Sequence, residues 1–250
     1  MEAMSADLSR GSIEKKLTAS ILGRELIIFD TLGSTNTYVK QHAGSLAEGA
    51  VVIADGQTGG RGRFGRSFSS PRGEGVYMSV LLKPRAVADD CLIITLFGAV
   101  AVCRALEDVC GIAPAVKWVN DIYAGGKKIC GILAESVIEA GSPNSSCVCV
   151  GFGINTGEVA AEVKDIATSV LYETGARVPR CEIIAGVLNR FEEIIIGAKD
   201  ITEGRAVLRE YSKRLAAFDN GAKAQQPAAD EDALAMLINN YEPRHLINRE

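Results

Sequence analysis

Between Gly56 and Gly73 lie four arginines, Arg61, Arg63, Arg66 and Arg72, and no aspartate or glutamate. The whole chain carries a net charge of −4, so this concentration stands out locally. Arginine offers a planar fork of donors to phosphate or carboxylate, and glycine lets the backbone approach an anion and move. Four readings of the stretch compete. Gly60-x-Gly62-x-x-Gly65 matches the dinucleotide fingerprint in letters, but that motif must open a helix. Here Ser69, Ser70, Pro71 and Gly73 follow, and no acidic residue stands about twenty positions on. An RNA-binding arginine–glycine patch wants more repeats in a basic, aromatic setting. A solvated structural loop and a mobile anion-binding lid are the two readings left, and a Walker A sequence is absent.

Three further clusters decide between them. They are Lys117-Trp118-Val119-Asn120-Asp121, then Gly126-Lys127-Lys128-Ile129-Cys130-Gly131-Ile132-Leu133-Ala134-Glu135, then Gly151-Phe152-Gly153-Ile154-Asn155. Each alone has a plain structural account: a turn, the charged start of a hairpin, a strand bulge. In this order they favour the anion-binding lid.

The elements that must position these groups follow from pattern. Glu25–Asp30 reads as a buried strand, Ser34 as an N-cap and Thr35–His42 as a short helix. Val51–Ala54 and Val76–Leu82 are strands on either side of a loop from Gly56 to Gly75. Asp90–Cys110 is a helix with Leu92, Leu96, Ala99, Val100, Cys103 and Leu106 on its apolar face. Ala115–Val119, Lys128–Val137 and Cys147–Ile154 are strand-like, with a Gly125-Gly126 turn between the first two. Thr168–Thr174, Arg180–Ile196 and Thr202–Ala217 are helical, and Asp219–Asp232 is a polar linker before one short helix. Hairpins outnumber βαβ units, which predicts an α+β fold with a mixed, largely antiparallel sheet.

Composition narrows the class. At 250 residues, 47% hydrophobic and 23% charged, the chain has the balance of a soluble globular protein. The longest apolar run, Cys91–Cys103, falls short of the ~20 residues a membrane span needs. The N-terminus lacks the hydrophobic core of a signal peptide, which predicts a cytoplasmic protein. Seven cysteines without C-x-x-C spacing read as buried thiols, not as a disulfide framework or zinc site. A pI near 5.4 argues against nucleic acid as a partner.

Ser34-Thr35-Asn36, the Gln57–Arg66 loop, KWVND, KKICGIL and GFGIN resemble, in order and spacing, the biotin protein ligase family over about residues 24–215. The resemblance implies the fold shared with class II aminoacyl-tRNA synthetases, a mixed sheet flanked by helices. It implies ATP-dependent adenylation of biotin to biotinyl-5'-AMP and transfer of biotin to a lysine of a biotin carboxyl carrier protein or domain, with Mg²⁺. Ser34, Thr35, Asn36, Gln57, Arg61, Gly62, Arg63, Lys128, Gly131 and Leu133 would form the biotin site. Arg63, Arg66, Phe68, Lys117, Asn120, Asp121 and Asn155 would serve ATP, with Phe68 where relatives often have a tryptophan beside the adenine. Lys128 and Arg63 would be catalytic, and Asp121 a metal ligand. Relatives often pair through the sheet, so a homodimer belongs among the implied partners.

The 24 residues ahead of the first strand are too few for the winged helix of repressor-type ligases, which predicts the monofunctional type. The expected division is a catalytic domain over 1–217, and a linker with a short helical tail over 218–250 where the family usually has a small β-barrel. Two rivals stay open. One is a lipoate or octanoate transferase of the same superfamily, which would lack the GRGRFGR loop. The other, motivated by the different C-terminus, binds biotinyl-adenylate without transferring it.

Overall fold

The computed structural model describes residues 6–84, 90–138, 146–221, 229–244 and 246–247. After a 3-10 turn (Ala6–Leu8) come α1 (Arg10–Glu14), β1 (Leu26–Leu32), α2 (Thr35–His42), β2 (Val51–Gln57) and β3 (Gly75–Leu82). Then follow α3 (Asp90–Cys110), β4 (Ala115–Lys117), β5 (Asp121–Ala124), β6 (Lys127–Ile138) and β7 (Ser146–Asn155). The chain continues through α4 (Val170–Thr174), α5 (Arg180–Gly197), α6 (Ile201–Gly221) and α7 (Ala229–Asn239). One seven-stranded sheet has the order β1-β2-β3-β7-β6-β5-β4. Only β1 and β2 run parallel, joined by the crossover helix α2; the other neighbours are antiparallel. This is the mixed, largely antiparallel α+β sheet that the pattern predicts.

Both faces of the sheet are covered, which explains why β3 is buried along its whole length. On one face α3 packs with α5 in the main core, around Ile94, Phe97, Val100, Leu188 and Phe191. On the other, Val39, Ala43 and Leu46 from α2 and the turn after it meet Val52, Leu81 and Cys149. The helix α3 lies between sheet and helices, so it is apolar nearly all round; Leu92, expected on its buried face, is 39% exposed. Leu234, Tyr241, Leu246 and Ile247 also belong to the main core, and Tyr241 donates its hydroxyl to the Ala198 carbonyl. Among the described residues no helix is long and apolar enough to cross a membrane.

Three boundaries differ from the sequence reading, each for a local reason. The KWVND stretch reverses the chain at residues 118–120, so Ala115–Val119 is not one strand, and the four-residue β5 intervenes. Gly125 and Gly126, with φ of 54° and 79°, therefore join β5 to β6. The strand β2 runs on to Gln57 because Asp55, in its interior, is held by the buried Arg180 and by Arg72. Of the expected linker Asp219–Asp232, residues 222–228 lie outside the described residues; α6 ends before them and α7 begins after them.

The N-terminal segment is pinned by polar groups of α5. Glu192, 5% exposed, accepts from the backbone N–H groups of Ser20, Ile21 and Leu22 and from the Ser20 hydroxyl. Asn189 accepts from Thr18 and Ala19 and donates to the Lys16 carbonyl. A second anchor is an ion-pair chain: Arg180 bonds Asp7 and Asp55, and Asp55 in turn bonds Arg72.

Candidate active site

A cavity of about 290 Å³ opens between the arginine loop, the start of α2, the β4–β5 turn and the glycine-rich stretches of β6 and β7. Its floor follows from strand periodicity. Residues at alternate positions share a face, so Gly131, Leu133 and Glu135 of β6 point the same way, opposite Gly153, Gly151 and Cys149 of β7. A side chain on Gly151 would collide with the Asn36 amide, and a Cβ on Gly153 would sit 2.6 Å from the Phe68 ring. The glycines of GFGIN thus make room for two side chains that enter from above.

The arginine loop closes on itself as an irregular hairpin. Phe68 donates its N–H to the Gly60 carbonyl at 2.9 Å, and Gly62 donates to the Arg66 carbonyl at 2.7 Å. The tip turns through positive φ at Phe64 (56°) and Gly65 (73°), which leaves Phe64 exposed. A 3-10 turn at Arg63–Gly65, not an α-helix, follows the glycines, and this removes the dinucleotide reading. Arg61, Arg63 and Arg66 line the cavity. Arg72 does not: its Nε donates to Asp55 at 2.8 Å, where it ties the end of the loop to β2. Four arginines of one segment therefore divide into three at the cavity and one structural anchor.

Lys128 is held by both its backbone and its side chain. Its N–H and carbonyl pair with Ile166 and Thr168 at 3.0 and 2.9 Å, so the segment after β7 clamps the start of β6. Its ammonium lies 2.7 Å from Asp121 and 6.0 Å from the Phe68 ring centroid. Arg63 donates from Nη1 to Asn120 Oδ1 at 3.1 Å, and Asn120 Nδ2 donates to the Ile132 carbonyl at 2.8 Å. Tyr211 of α6 supports that turn through a 2.9 Å bond to the Val119 carbonyl. Lys117 also lines the cavity and stands 5.6 Å over the Tyr123 ring.

The other end of the cavity is polar and closely bonded. The Thr35 N–H donates to Gln57 Oε1 at 2.9 Å, and Gln57 Nε2 donates to Ser70 Oγ at 2.9 Å. Ser79 Oγ lies 2.7 Å from Thr35 Oγ1 and 2.6 Å from Asn36 Oδ1. Asn36 Nδ2 donates to Glu135 and to the Leu133 carbonyl, while Lys40 pairs with Glu135 at 2.6 Å. Burial pushes the Glu135 carboxyl up, but hydrogen bonds from Lys40 and Asn36, with the charges of Lys40 and Arg61, outweigh it and hold the group below the usual glutamate range. Ser34 caps α2 through its side chain and lines the cavity beside Thr35.

Of the sequence-predicted site residues, all but Asn155 line this one cavity. Asn155 lines an adjoining, more apolar cavity of about 160 Å³ with Tyr77, Val159, Ala160 and Ile166, and donates to the Thr168 carbonyl. Ser67, Phe68 and Lys128 line both spaces and so stand between them. Asp121, expected as a metal ligand, is the partner of Lys128, and among the described residues no three His, Cys, Asp or Glu side chains converge. Sequence reasoning missed Ser79 and Ser70, and it placed Glu135 at the end of the second cluster without giving it a role. Ser79 left a trace as the lone hydroxyl in VYMSVLL, and Glu135 as the next alternate position after Gly131 and Leu133.

Residues 28–155 match the model of the Biotin/lipoate A/B protein ligase family. The chain is 38% identical to the bifunctional ligase/repressor BirA of Bacillus subtilis over 189 residues, which cover 74% of this chain and 58% of that protein. It therefore spans a little over half the length of that relative. It is 29% identical to the biotin–[acetyl-CoA-carboxylase] ligase of Mycobacterium tuberculosis, covering 87% of this chain and 83% of the other. Among solved structures it is similar to the biotin protein ligase of Aquifex aeolicus in complex with biotin and ATP, at 35% identity and a TM-score of 0.59 over 68% of this chain and 69% of that one.

Proposed function

Because the chain belongs to the biotin/lipoate A/B protein ligase family, we propose that it joins biotin to ATP as biotinyl-5'-AMP with release of pyrophosphate, and then passes biotin to a lysine of a carrier domain. The observation that carries this reading is convergence: Lys128 and the three arginines Arg61, Arg63 and Arg66 share one cavity with the apolar wall of Ile132, Leu133 and Phe152. Biotin asks for an apolar slot with few polar contacts. Its carboxylate and a triphosphate ask for cations. Both kinds of wall line the same space.

In the first step a biotin carboxylate oxygen bonds to the α-phosphorus as the bond to the β-phosphate oxygen breaks, and pyrophosphate leaves with that electron pair. Two anions must approach, so fixed cations have to neutralise charge as it builds in the transition state. Lys128 stands between the two cavities, where carboxylate and α-phosphate would meet, and Arg63, braced by Asn120, lines the first of them. The adjoining cavity, walled by Phe68, Tyr77 and Asn155, is the place for the nucleotide base. Magnesium would arrive carried chiefly by the triphosphate, Asp121 is the one carboxylate of the cavity lining that would hold it, and it would supply charge to shield the departing pyrophosphate.

The product is a mixed anhydride that water destroys. The glycine-hinged loop, with Phe64 at its tip, would close over it until the acceptor arrives. In the second step the carrier lysine, as free amine, attacks the carbonyl carbon and AMP leaves. The partner is then the biotin carboxyl carrier domain of a carboxylase, and the compartment the cytoplasm; seven free thiols suit its reducing conditions. The test is exchange of labelled pyrophosphate into ATP. Exchange should depend on added biotin and vanish in Lys128→Ala. Exchange driven by lipoate but not by biotin would overturn the reading.

A further inference from the structure

The turn that carries Asn120 and Asp121 is held from two sides. Lys117 and Asp121 are the last pair of the β4–β5 hairpin, which leaves Trp118, Val119 and Asn120 at its tip. On the cavity side β6 grips Asn120, whose carbonyl accepts from the Ile132 N–H at 2.9 Å and whose Nδ2 donates to the Ile132 carbonyl at 2.8 Å. Its Oδ1 accepts from Arg63 at 3.1 Å. On the far side stands Tyr211, fully buried, and its hydroxyl donates to the Val119 carbonyl at 2.9 Å. Trp118 lines the cavity and meets the Tyr211 ring edge-on, at 6.1 Å between centroids. Tyr211 therefore lies one side chain behind the cavity wall.

The helix that bears this hydroxyl is itself fastened. One residue before Tyr211, Glu210 bonds Arg104 of α3 at 2.7 Å, and three residues after it Arg214 bonds Glu107 of α3 at 2.7 Å. Glu210 and Arg214 also bond each other along α6 at 2.7 Å. Leu208 and Leu215 of the same helix are buried in the main core. The hydroxyl thus sits on a platform with little freedom to move. The Val119 carbonyl and the Asn120 Cα belong to one planar peptide unit, so fixing the first places the second.

We infer that Tyr211 is a positioning residue for the adenylation step, setting the place of Arg63 through the Val119–Asn120 peptide without touching a substrate. The inference rests on the reading of this cavity as the adenylation site and deepens it. A guanidinium that stabilises charge in a transition state must be aimed before that charge appears. A displacement of about 1 Å can cost about 10²-fold in rate. Asn120 aims Arg63 with a neutral oxygen, which orders the guanidinium and leaves its charge for a phosphate. The apolar wall of Ile132 and Phe152 is carried by β6 and β7, which pair with each other from Cys130 and Ile154 to Ile138 and Ser146. That wall keeps its place without the hydroxyl.

The experiment removes one oxygen. Tyr211→Phe keeps the ring, so the core stays filled, and calorimetric titration with biotin counts the folded sites. Biotin-dependent pyrophosphate exchange at saturating ATP is expressed per biotin-binding site, so any loss of folded protein cancels. The maximal rate should fall about tenfold while the KM for biotin stays within about twofold of wild type. Asn120→Ala, which takes away the brace itself, should fall further. The double variant decides the route: if Tyr211 acts through Asn120, its rate matches that of Asn120→Ala within about twofold, because effects on one shared path do not add. The inference is overturned by a Tyr211→Phe rate within about twofold of wild type, by a KM for biotin that rises as much as the rate falls, or by losses that multiply in the double variant. It fails too if Tyr211→Phe binds no biotin, since the hydroxyl would then serve the whole cavity. Absence of biotin-dependent exchange in wild type would instead sink the functional reading beneath it.

Discussion

Arg63 and Arg72 belong to the same glycine-rich segment and are put to opposite uses. Arg72 meets Asp55, whose side chain is 4% exposed and which is bonded from its other side by Arg180, also 4% exposed. Arg63 meets the neutral Asn120 and the Phe64 ring, and among the described residues no carboxylate pairs with Arg61, Arg63 or Arg66. The first arrangement uses charge to fasten the loop's end and the N-terminal segment to the sheet. The second leaves charge uncommitted beside a cavity, where an incoming anion supplies the missing partner. Local sequence is alike in the two places; what differs is whether a carboxylate is already buried against the guanidinium. Chemistry is available where the fold withholds a counterion.

That contrast is broken most directly at Asp55. Asp55→Ala leaves two arginines facing each other without their carboxylate, one of them buried. Removing one partner of a buried pair costs about 3–5 kcal/mol. A urea titration should show the midpoint falling accordingly. Exchange activity well below the midpoint should remain within a few-fold of wild type, since the cavity arginines keep their places. A midpoint shift worth less than about 1 kcal/mol would mean that the chain Asp7–Arg180–Asp55–Arg72 is not an anchor.

Lys128→Ala is the mirror experiment. The Lys128–Asp121 pair is about 30% exposed on the lysine side, so its loss should change stability by no more than about 1 kcal/mol. Biotin-dependent exchange should fall by about 10²–10³, the usual loss for one group that stabilises transition-state charge. Equal damage to stability and rate would erase the distinction between anchoring and working charges.

Acid sharpens the comparison on the anchored side. Burial pushes the Glu192 carboxyl up, but hydrogen bonds from Ser20, Ile21 and Leu22 outweigh it and hold the group below the usual glutamate value. A carboxylate depressed in the folded state stabilises the fold above its unfolded pKa, about 4.3, and loses that contribution as pH falls through the folded value. Glu210, buried first and then bonded by Arg104 and Arg214, is lowered in the same sense. Unfolding free energy should therefore be flat from about pH 7 to 5 and fall below that. Glu192→Gln should be weaker than wild type at pH 7, with the gap narrowing toward pH 3. A constant gap would remove Glu192 from the pH-dependent account.

How much of this was legible beforehand tracks how local the cause is. Helix α2 was read residue for residue because Ser34 caps it and the cap lies beside it in sequence. The cavity residues were found because loop and strand motifs keep their order. The adjoining cavity escaped, since it depends on Asn155 reaching beside Phe68 and Tyr77 across three separate segments. The role of Arg72 escaped for the same reason: nothing near it in sequence reveals that Arg180 already fills the other side of Asp55. Strand β5 was missed because four residues between a tight reversal and a Gly-Gly turn carry too little periodicity to register.

The finest division lies within β7, at two glycines on one face. Gly151 sits under the Asn36 amide, and Gly153 under the Phe68 ring at the wall between the cavities. A methyl at Gly153 would start 2.6 Å from the ring, so Phe68 must tilt toward Tyr77, its edge-on neighbour at 6.5 Å between centroids. Such overpacking costs about 1–3 kcal/mol where the neighbours cannot give, and less where a ring at a cavity wall can swing. Gly153→Ala should therefore raise the KM for ATP about three- to tenfold while the KM for biotin stays near wild type. Gly151→Ala should do the reverse, because the displaced group is the Asn36 amide, which accepts from Ser79 beside Thr35. If both variants raised the same KM, the two cavities would not be separate substrate sites, and Phe68 and Lys128 would not stand on a boundary.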